Sequence, residues 1–405
     1  MVGTAGIVGT GTRDAPRSRP TLFTAAFVTV ALAELAYFTA DGILLPSLPR
    51  YVTGPLGGGN AAVGLVVGAF SVAAFFLRPW AGRVADRRGR RLLMVAGACT
   101  FAVSVAGYLV ADGLAVLITM RVLTGVGEAM FFVAALAANV DLAPAERRGE
   151  AFSFASLALY LGIGAGPFIG EAVIDRAGFH AAWIVAIGFA SIAVVLSLRL
   201  PSMRPVHHAE SSADRGRHRF LHPAGLLPGL VLLTAIWGMA GFLAFVPLYA
   251  LDLGMDGARL VLALFAGIVV LIRSVGARIP DELGPARAMR IALGLSALGL
   301  AVIGVWRAPT GLVAGAALLG IGVALFTPAL FTAALAEVPD DERGAVMGTT
   351  SAFLDVALGV GPAALGFVAA SFGRAGTFVA GAFVAAAGLV IVVTTGLGRR
   401  PRGNR

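Results

Sequence analysis

The chain has 405 residues, 58% hydrophobic and only 13% charged, with a formal charge of +9 and a mean hydropathy of +0.88. A soluble domain carries about 25% charged residues, so this chain cannot build a water-facing surface, and its solvent is lipid. All 31 basic residues are Arg; without Lys there is no Walker A phosphate loop and no Schiff-base lysine.

Arg13, Arg17 and Arg19 lead into the first apolar run, which continues to Pro46 without a small-residue cleavage site and reads as a retained helix. In chain order the apolar runs cover 21–45, 61–81, 92–111, 114–138, 151–173, 179–200, 224–250, 258–279, 288–306, 311–335, 345–370 and 375–397. Crossing about 30 Å of hydrocarbon takes roughly 20 residues at 1.5 Å each. The predicted fold class is therefore all-α integral membrane, with twelve transmembrane helices and both termini on one side. The connections of that side hold 23 of the arginines, and those of the other side hold five: Arg50, Arg176, Arg259, Arg307 and Arg374. The positive-inside rule then predicts cytoplasmic termini and a multi-pass protein of the cell membrane. Arginines confined to short segments between apolar runs also argue against a nucleic-acid partner.

The polar connection 201–223 has the composition of a flexible linker. It separates a bundle over 21–200 from a second over 224–397, with cytoplasmic tails at 1–20 and 398–405. A shift of 195 residues superposes Arg78 on Arg273, Arg83 on Arg278, Asp86 on Asp281, Gly89 on Gly284, Pro144 on Pro339, and Gly166-Pro167 on Gly361-Pro362. Two six-helix units of like topology are predicted, an arrangement found in transporters that rock around a midplane site. Cys99, the single cysteine, lies in an apolar run and reads as a helix-packing residue. No histidine pair falls within a span and no metal-ligand cluster is evident, so neither metal nor cofactor is expected.

Three segments carry a family resemblance. Between spans two and three, Gly82-Arg83-Val84-Ala85-Asp86-Arg87-Arg88-Gly89-Arg90-Arg91 closely resembles the cytoplasmic loop signature of the major facilitator superfamily. In span four, Arg121-Val122-Leu123-Thr124-Gly125-Val126-Gly127 resembles its arginine motif. In span five, Gly162 to Gly170, with Gly166-Pro167 inside, resembles the motif of drug/proton antiporters, although Glu171 stands where a second Gly is usual and Ser153 replaces an upstream one. The resemblance covers essentially the whole length and is closest to bacterial twelve-helix efflux proteins. It implies two pseudo-symmetric six-helix bundles, a small-molecule substrate, a monomer and no enzymatic activity. It also implies a gating role for the loop: Asp86 meets the start of span eleven in the outward-open state, and a loop Arg meets the acid closing span four. Here Gly82, Arg83, Asp86, Arg87, Gly89, Arg90 and Arg91 form the loop, and Asp141 fits as that acid. The alternative is that the Arg cluster only sets topology.

A charge at bilayer mid-depth is costly by about 2.5–3.5 kcal/mol on insertion scales, which makes each one a functional hypothesis. Glu34 and Asp41 are seven residues apart in span one, hence on one helical face, with Tyr37 between them; Arg121 and Glu128 repeat the spacing in span four. In the fold the resemblance implies, both helices line the central cavity, so these groups are expected to converge there. Removing a carboxyl from water favours its protonated form, so protons and substrate can compete for it. Glu34 is the first proton carrier expected, Asp41 the second, and Arg121 the counter-charge; a structural pair of Arg121 with Glu128 or Glu34 is the alternative. Asp355 in span eleven is either a substrate contact or a packing residue. Glu171 is expected at the outer mouth. Gly162, Gly166, Pro167, Gly170, Gly361 and Pro362 are candidate hinges, or simply close packing.

The expected function is a proton-coupled exporter, an antiporter of amphiphilic or cationic small molecules working by alternating access, with protons as the coupling ion. A nutrient importer on the same fold would call for a more polar cavity, whereas Asn139 is nearly alone among amides in the spans. A non-transporting membrane sensor is the alternative from another class.

Overall fold

The computed structural model describes residues 22–144, 147–202, 222–275, 282–336, 338–339 and 342–398. Nearly all of the predicted linker and tails lie outside these residues, as do Arg278 and Asp281 of the repeat. Ten helices form among the described residues: α1 (Ala25–Thr53), α2 (Asn60–Arg88), α3 (Arg90–Tyr108), α4 (Leu114–Leu142), α5 (Arg148–Leu198), α6 (Pro223–Asp252), α7 (Arg259–Val275), α8 (Pro285–Val305), α9 (Pro309–Leu335) and α10 (Arg343–Thr395). Nine of them are long and apolar enough to cross a membrane.

Two helices are too long for one crossing. α5 has 51 residues and α10 has 53, roughly 75–80 Å at 1.5 Å per residue, more than twice the hydrocarbon thickness. Each is broken once, at Gly178 (φ 80°) and at Gly373 (φ 73°), in a conformation that a Cβ disfavours. The predicted connections between spans five and six, and between eleven and twelve, are thus single-glycine breaks. With each break counted as a boundary, the described residues form twelve helical segments. Gly178 and Gly373 stand 195 residues apart, the offset of the sequence repeat, and Gly89 (φ 96°) and Gly284 (φ 77°) repeat it where α3 and α8 begin.

The loop signature is mostly helix. Gly82–Arg88 end α2, Gly89 turns the chain, and Arg90 and Arg91 start α3; Arg87 and Arg88 stand at the helix end whose dipole favours cations. Large apolar side chains point outward, Phe372 at 76% exposure and Phe76 at 71%, as a hydrocarbon solvent allows. Cys99 shares that surface, a correction to the packing role expected from its apolar run, because apolar runs here supply a lipid face as well as a core.

In the first half, α1 lies on α5, and α4 lies on α2 and α3; in the second, α10 lies on α6 and α8, and α9 on α8 and α7. Two main seams join the halves, α2 on α10 and α5 on α7. The first is backbone against backbone: a Cβ on Gly64 would lie 2.2 Å from the carbonyl oxygen of Pro362, and one on Gly68 2.2 Å from that of Gly359. In the second, a Cβ on Gly164 would meet the Ala266 methyl at 2.7 Å, and a cleft of about 340 Å³ remains beside it. The candidate hinge residues serve close approach in this structure. A Cβ on Gly166 would lie 2.5 Å from Gly42 Cα, Gly162 abuts Phe38, and Gly170 abuts Ile43, so all three seat α5 on α1. Gly361 faces Trp237 at an ordinary 3.6 Å.

Candidate functional site

Three charges from three helices meet beside the α2–α10 seam. Gly125 brings α4 against the Phe70 carbonyl of α2, and Gly359 brings α10 against Gly68. Glu128 follows Gly125 by three residues and Asp355 precedes Gly359 by four, about one helical turn in each case. The long side chain of Arg78, further along α2, reaches both: one terminal nitrogen stands 3.1 Å from Glu128 Oε1 and 3.1 Å from Asp355 Oδ1. Asp355 is 4% exposed, Arg78 17% and Glu128 14%. The guanidinium also lies 5.0 Å from the centroid of the Phe132 ring. Since Arg78 and Glu128 belong to the first half and Asp355 to the second, this triad ties the halves together by charge.

Arg121 meets the expectation in part, lying with Glu128 within electrostatic reach of Asp41 and Tyr37. It donates from Nε to the Val66 carbonyl (3.2 Å) and from a terminal nitrogen to the Val67 carbonyl (3.3 Å), with Phe70 under its plane at 4.8 Å. It fastens α4 to α2 within one half. It interacts through space with Asp41, but the acid Glu128 pairs with Arg78. Glu34 is a second correction: its hydrogen-bond partner is Asn139, whose Nδ2 donates to Oε1 at 2.9 Å. Asn139 lies 18 residues beyond Arg121 on α4, roughly 27 Å along the axis. A seven-residue spacing puts Glu34 and Asp41 on one face; it also separates them by roughly 10 Å in depth, enough to give them different partners. Tyr37 between them is fully buried and stacks on Phe131, centroids 4.1 Å apart and planes within 5°. Glu34, at 4% exposure, and Tyr37 are thus enclosed within the first half.

At the loop, Arg90 Nε donates to Asp141 Oδ2 at 3.0 Å, and the same guanidinium pairs with Asp86. Arg83 is also engaged.

The α1–α2 end of the molecule is clasped. Glu171 on α5 accepts the backbone N–H groups of Ala258 (2.9 Å) and Arg259 (2.8 Å) at the start of α7, so its carboxylate meets the positive end of a helix of the other half. It is fully buried: with the halves in contact, the mouth expected there is a seam. Asn60 on α2 donates to the Ala369 carbonyl (3.2 Å) and accepts from Arg374 (3.1 Å), both on α10. Arg259 and Asp175 add an ion pair between the halves at 3.7 Å.

The second seam holds the repeat counterpart of Arg78. Arg273 on α7 stands 4.7 Å over the ring of Tyr160 on α5, and Tyr160 is 195 residues from Asp355. One seam therefore joins Arg to Asp, and the other joins Arg to Tyr. Arg78 and Arg273 escaped sequence reasoning as site residues, although the 195-residue offset had already aligned them and set Tyr160 at the place of Asp355.

The family model of the Major Facilitator Superfamily matches residues 30–311 and again 260–405. An uncharacterised MFS-type transporter of Pseudomonas aeruginosa is 31% identical over 404 residues, 96% of each chain. The uncharacterised MFS-type transporter YhhS of Escherichia coli is 28% identical over 388 residues, covering 92% of this chain and 93% of that one. Among solved structures, the nucleoside transporter NupG superposes with a TM-score of 0.74 at 15% identity, over 91% of this chain and 99% of that one, a likeness of fold.

Proposed function

The chain belongs to the major facilitator superfamily, and from that premise we propose that it is a proton-coupled exporter of amphiphilic or cationic small molecules in the cell membrane. Multi-pass embedding and a small-molecule substrate come with the family. Direction, coupling ion and substrate class are the proposal. The observation that carries it is the Arg78–Glu128–Asp355 triad, because it links the halves through charges that a proton or a cation can cancel.

If the arginine-rich connections are cytoplasmic, the clasped end faces outward and the triad is approached from inside. A cationic substrate there competes with Arg78 for Glu128 and Asp355. A proton competes in the same way, since a neutral carboxyl no longer offers the Arg78 cation an opposite charge and holds it only as a dipole. Proton and substrate then exclude each other at one site, and each releases the halves to tilt, which is what exchange requires.

The test is transport by the purified chain in proteoliposomes with an imposed pH gradient, screening cationic dyes. The wild type should move dye against the proton gradient, and Asp355→Asn should still bind dye while losing its dependence on the gradient. Glu34→Gln, which alters only the Asn139 contact, should keep that dependence. Gradient-driven transport surviving in Asp355→Asn and Glu128→Gln alike would remove the triad from coupling.

A further inference from the structure

We propose that the cleft between α5 and α7 binds a single-chain organic anion, its apolar chain along the helices and its carboxylate on Arg273. The starting point is a charge left over by the repeat. Arg78 has two carboxylates, Glu128 and Asp355. The residues 195 positions from these acids are Val323 and Tyr160. Among the described residues Arg273 contacts the Tyr160 ring and no acid, and its buried Nε makes no hydrogen bond. A ring covers one face of a guanidinium and leaves its edge of N–H donors unused. A partly buried cation without a counter-charge is costly, and an anionic ligand supplies that charge in bidentate geometry.

The walls beside it are apolar. Ala263, Ala266, Gly267 and Val270 line the cleft from α7, and Arg273 is the next residue on that stripe, three beyond Val270. Tyr160 lines it from α5 with Leu161, Gly164 and Phe168, and the Arg273 guanidinium stands over that Tyr160 ring. Leu161 and Phe168 are 43% and 49% exposed, which opens the slot sideways to the bilayer. A volume of about 340 Å³ is at the small end of ligand sites, roughly 300–1,000 Å³, and suits one alkyl chain better than the two of a phospholipid. The site stands whether or not protons drive transport.

Full-length protein in phosphatidylcholine nanodiscs, titrated with radiolabelled laurate against empty-disc controls, tests it. Saturable binding is expected, with dodecanol and dodecyltrimethylammonium displacing at least tenfold less well. Arg273→Gln should weaken laurate at least tenfold, and Arg273→Lys should recover part of the loss. Ala266→Phe, which fills the slot and leaves the charge in place, should weaken laurate and dodecanol together. Laurate affinity unchanged in Arg273→Gln or in Ala266→Phe would overturn the proposal, as would dodecanol displacing as well as laurate. Displacement of laurate by phosphatidylglycerol in the disc at stoichiometric amounts would assign the slot to a two-chain lipid, which also overturns it.

Discussion

The two seams between the halves are related by the same 195-residue offset and yet are built differently. Along α2 and α10, glycines let the helices meet backbone to backbone above an ionic triad. Along α5 and α7, alanine methyls keep the helices apart, a cleft remains, and the charge beneath lies on an aromatic ring. A tight seam with a titratable lock and a looser seam with a fixed cation divide the work. Protonation can reach the first lock and leaves the second unchanged, since Arg stays charged at any relevant pH.

Breaking the lock should have the largest effect. Arg78→Gln leaves Glu128 and Asp355 buried without a counter-charge, and loss of one partner of a buried pair costs about 3–5 kcal/mol. The melting temperature in detergent should fall sharply. The double variant Arg78→Gln/Asp355→Asn, with two of the three charges removed, should recover part of the loss. A single variant that melts like wild type would show the triad to be energetically idle.

Next comes the backbone contact. Gly64→Ala drives a methyl into the Pro362 carbonyl, and overpacking of this kind costs about 1–3 kcal/mol. Spin labels placed across the clasped end should report separation of the halves. Gly164→Ala, facing a methyl next to an open cleft, should separate them less, and equal effects would erase the distinction between the seams.

The carboxylate at the start of α7 should matter less. Glu171→Gln keeps an acceptor but loses the charge at a helix N-terminus, worth roughly 0.3–1 kcal/mol and up to about 2 when partly buried. Cysteine accessibility at the clasped end should rise a few-fold. The smallest change is expected for Tyr160→Leu, which removes a cation–π contact of about 0.5–2 kcal/mol but leaves Arg273 in an apolar setting. A modest loss of thermal stability, with gradient-driven transport kept, is the expected readout; loss of gradient dependence would make the second seam part of the coupling.

Much of this molecule was legible before any coordinates. Hydropathy located the ten helices α1–α10, since each crossing must satisfy its own backbone hydrogen bonds with a run of apolar residues. The offset of 195 residues survives in the paired positive-φ glycines, Gly89 with Gly284 and Gly178 with Gly373. The partners of buried charges were less legible. Helical periodicity put Glu34 and Asp41 on one face and Arg121 and Glu128 on another, but it holds no information on which neighbour that face meets or at what depth. Glu34 consequently meets Asn139, and Arg121 meets the carbonyls of Val66 and Val67. Arg78, which falls inside the apolar run 61–81, reaches the triad because its long side chain extends from a helix gripped on two sides.

Length, apolar runs and repetition, all properties of the chain taken locally, determined that this is a two-part helical membrane protein. Which charges face one another was decided by tertiary structure alone, because it depends on how each helix is rotated and how closely glycines let it approach its neighbours. A shift of one ångström or one residue there exchanges an acid for a backbone carbonyl.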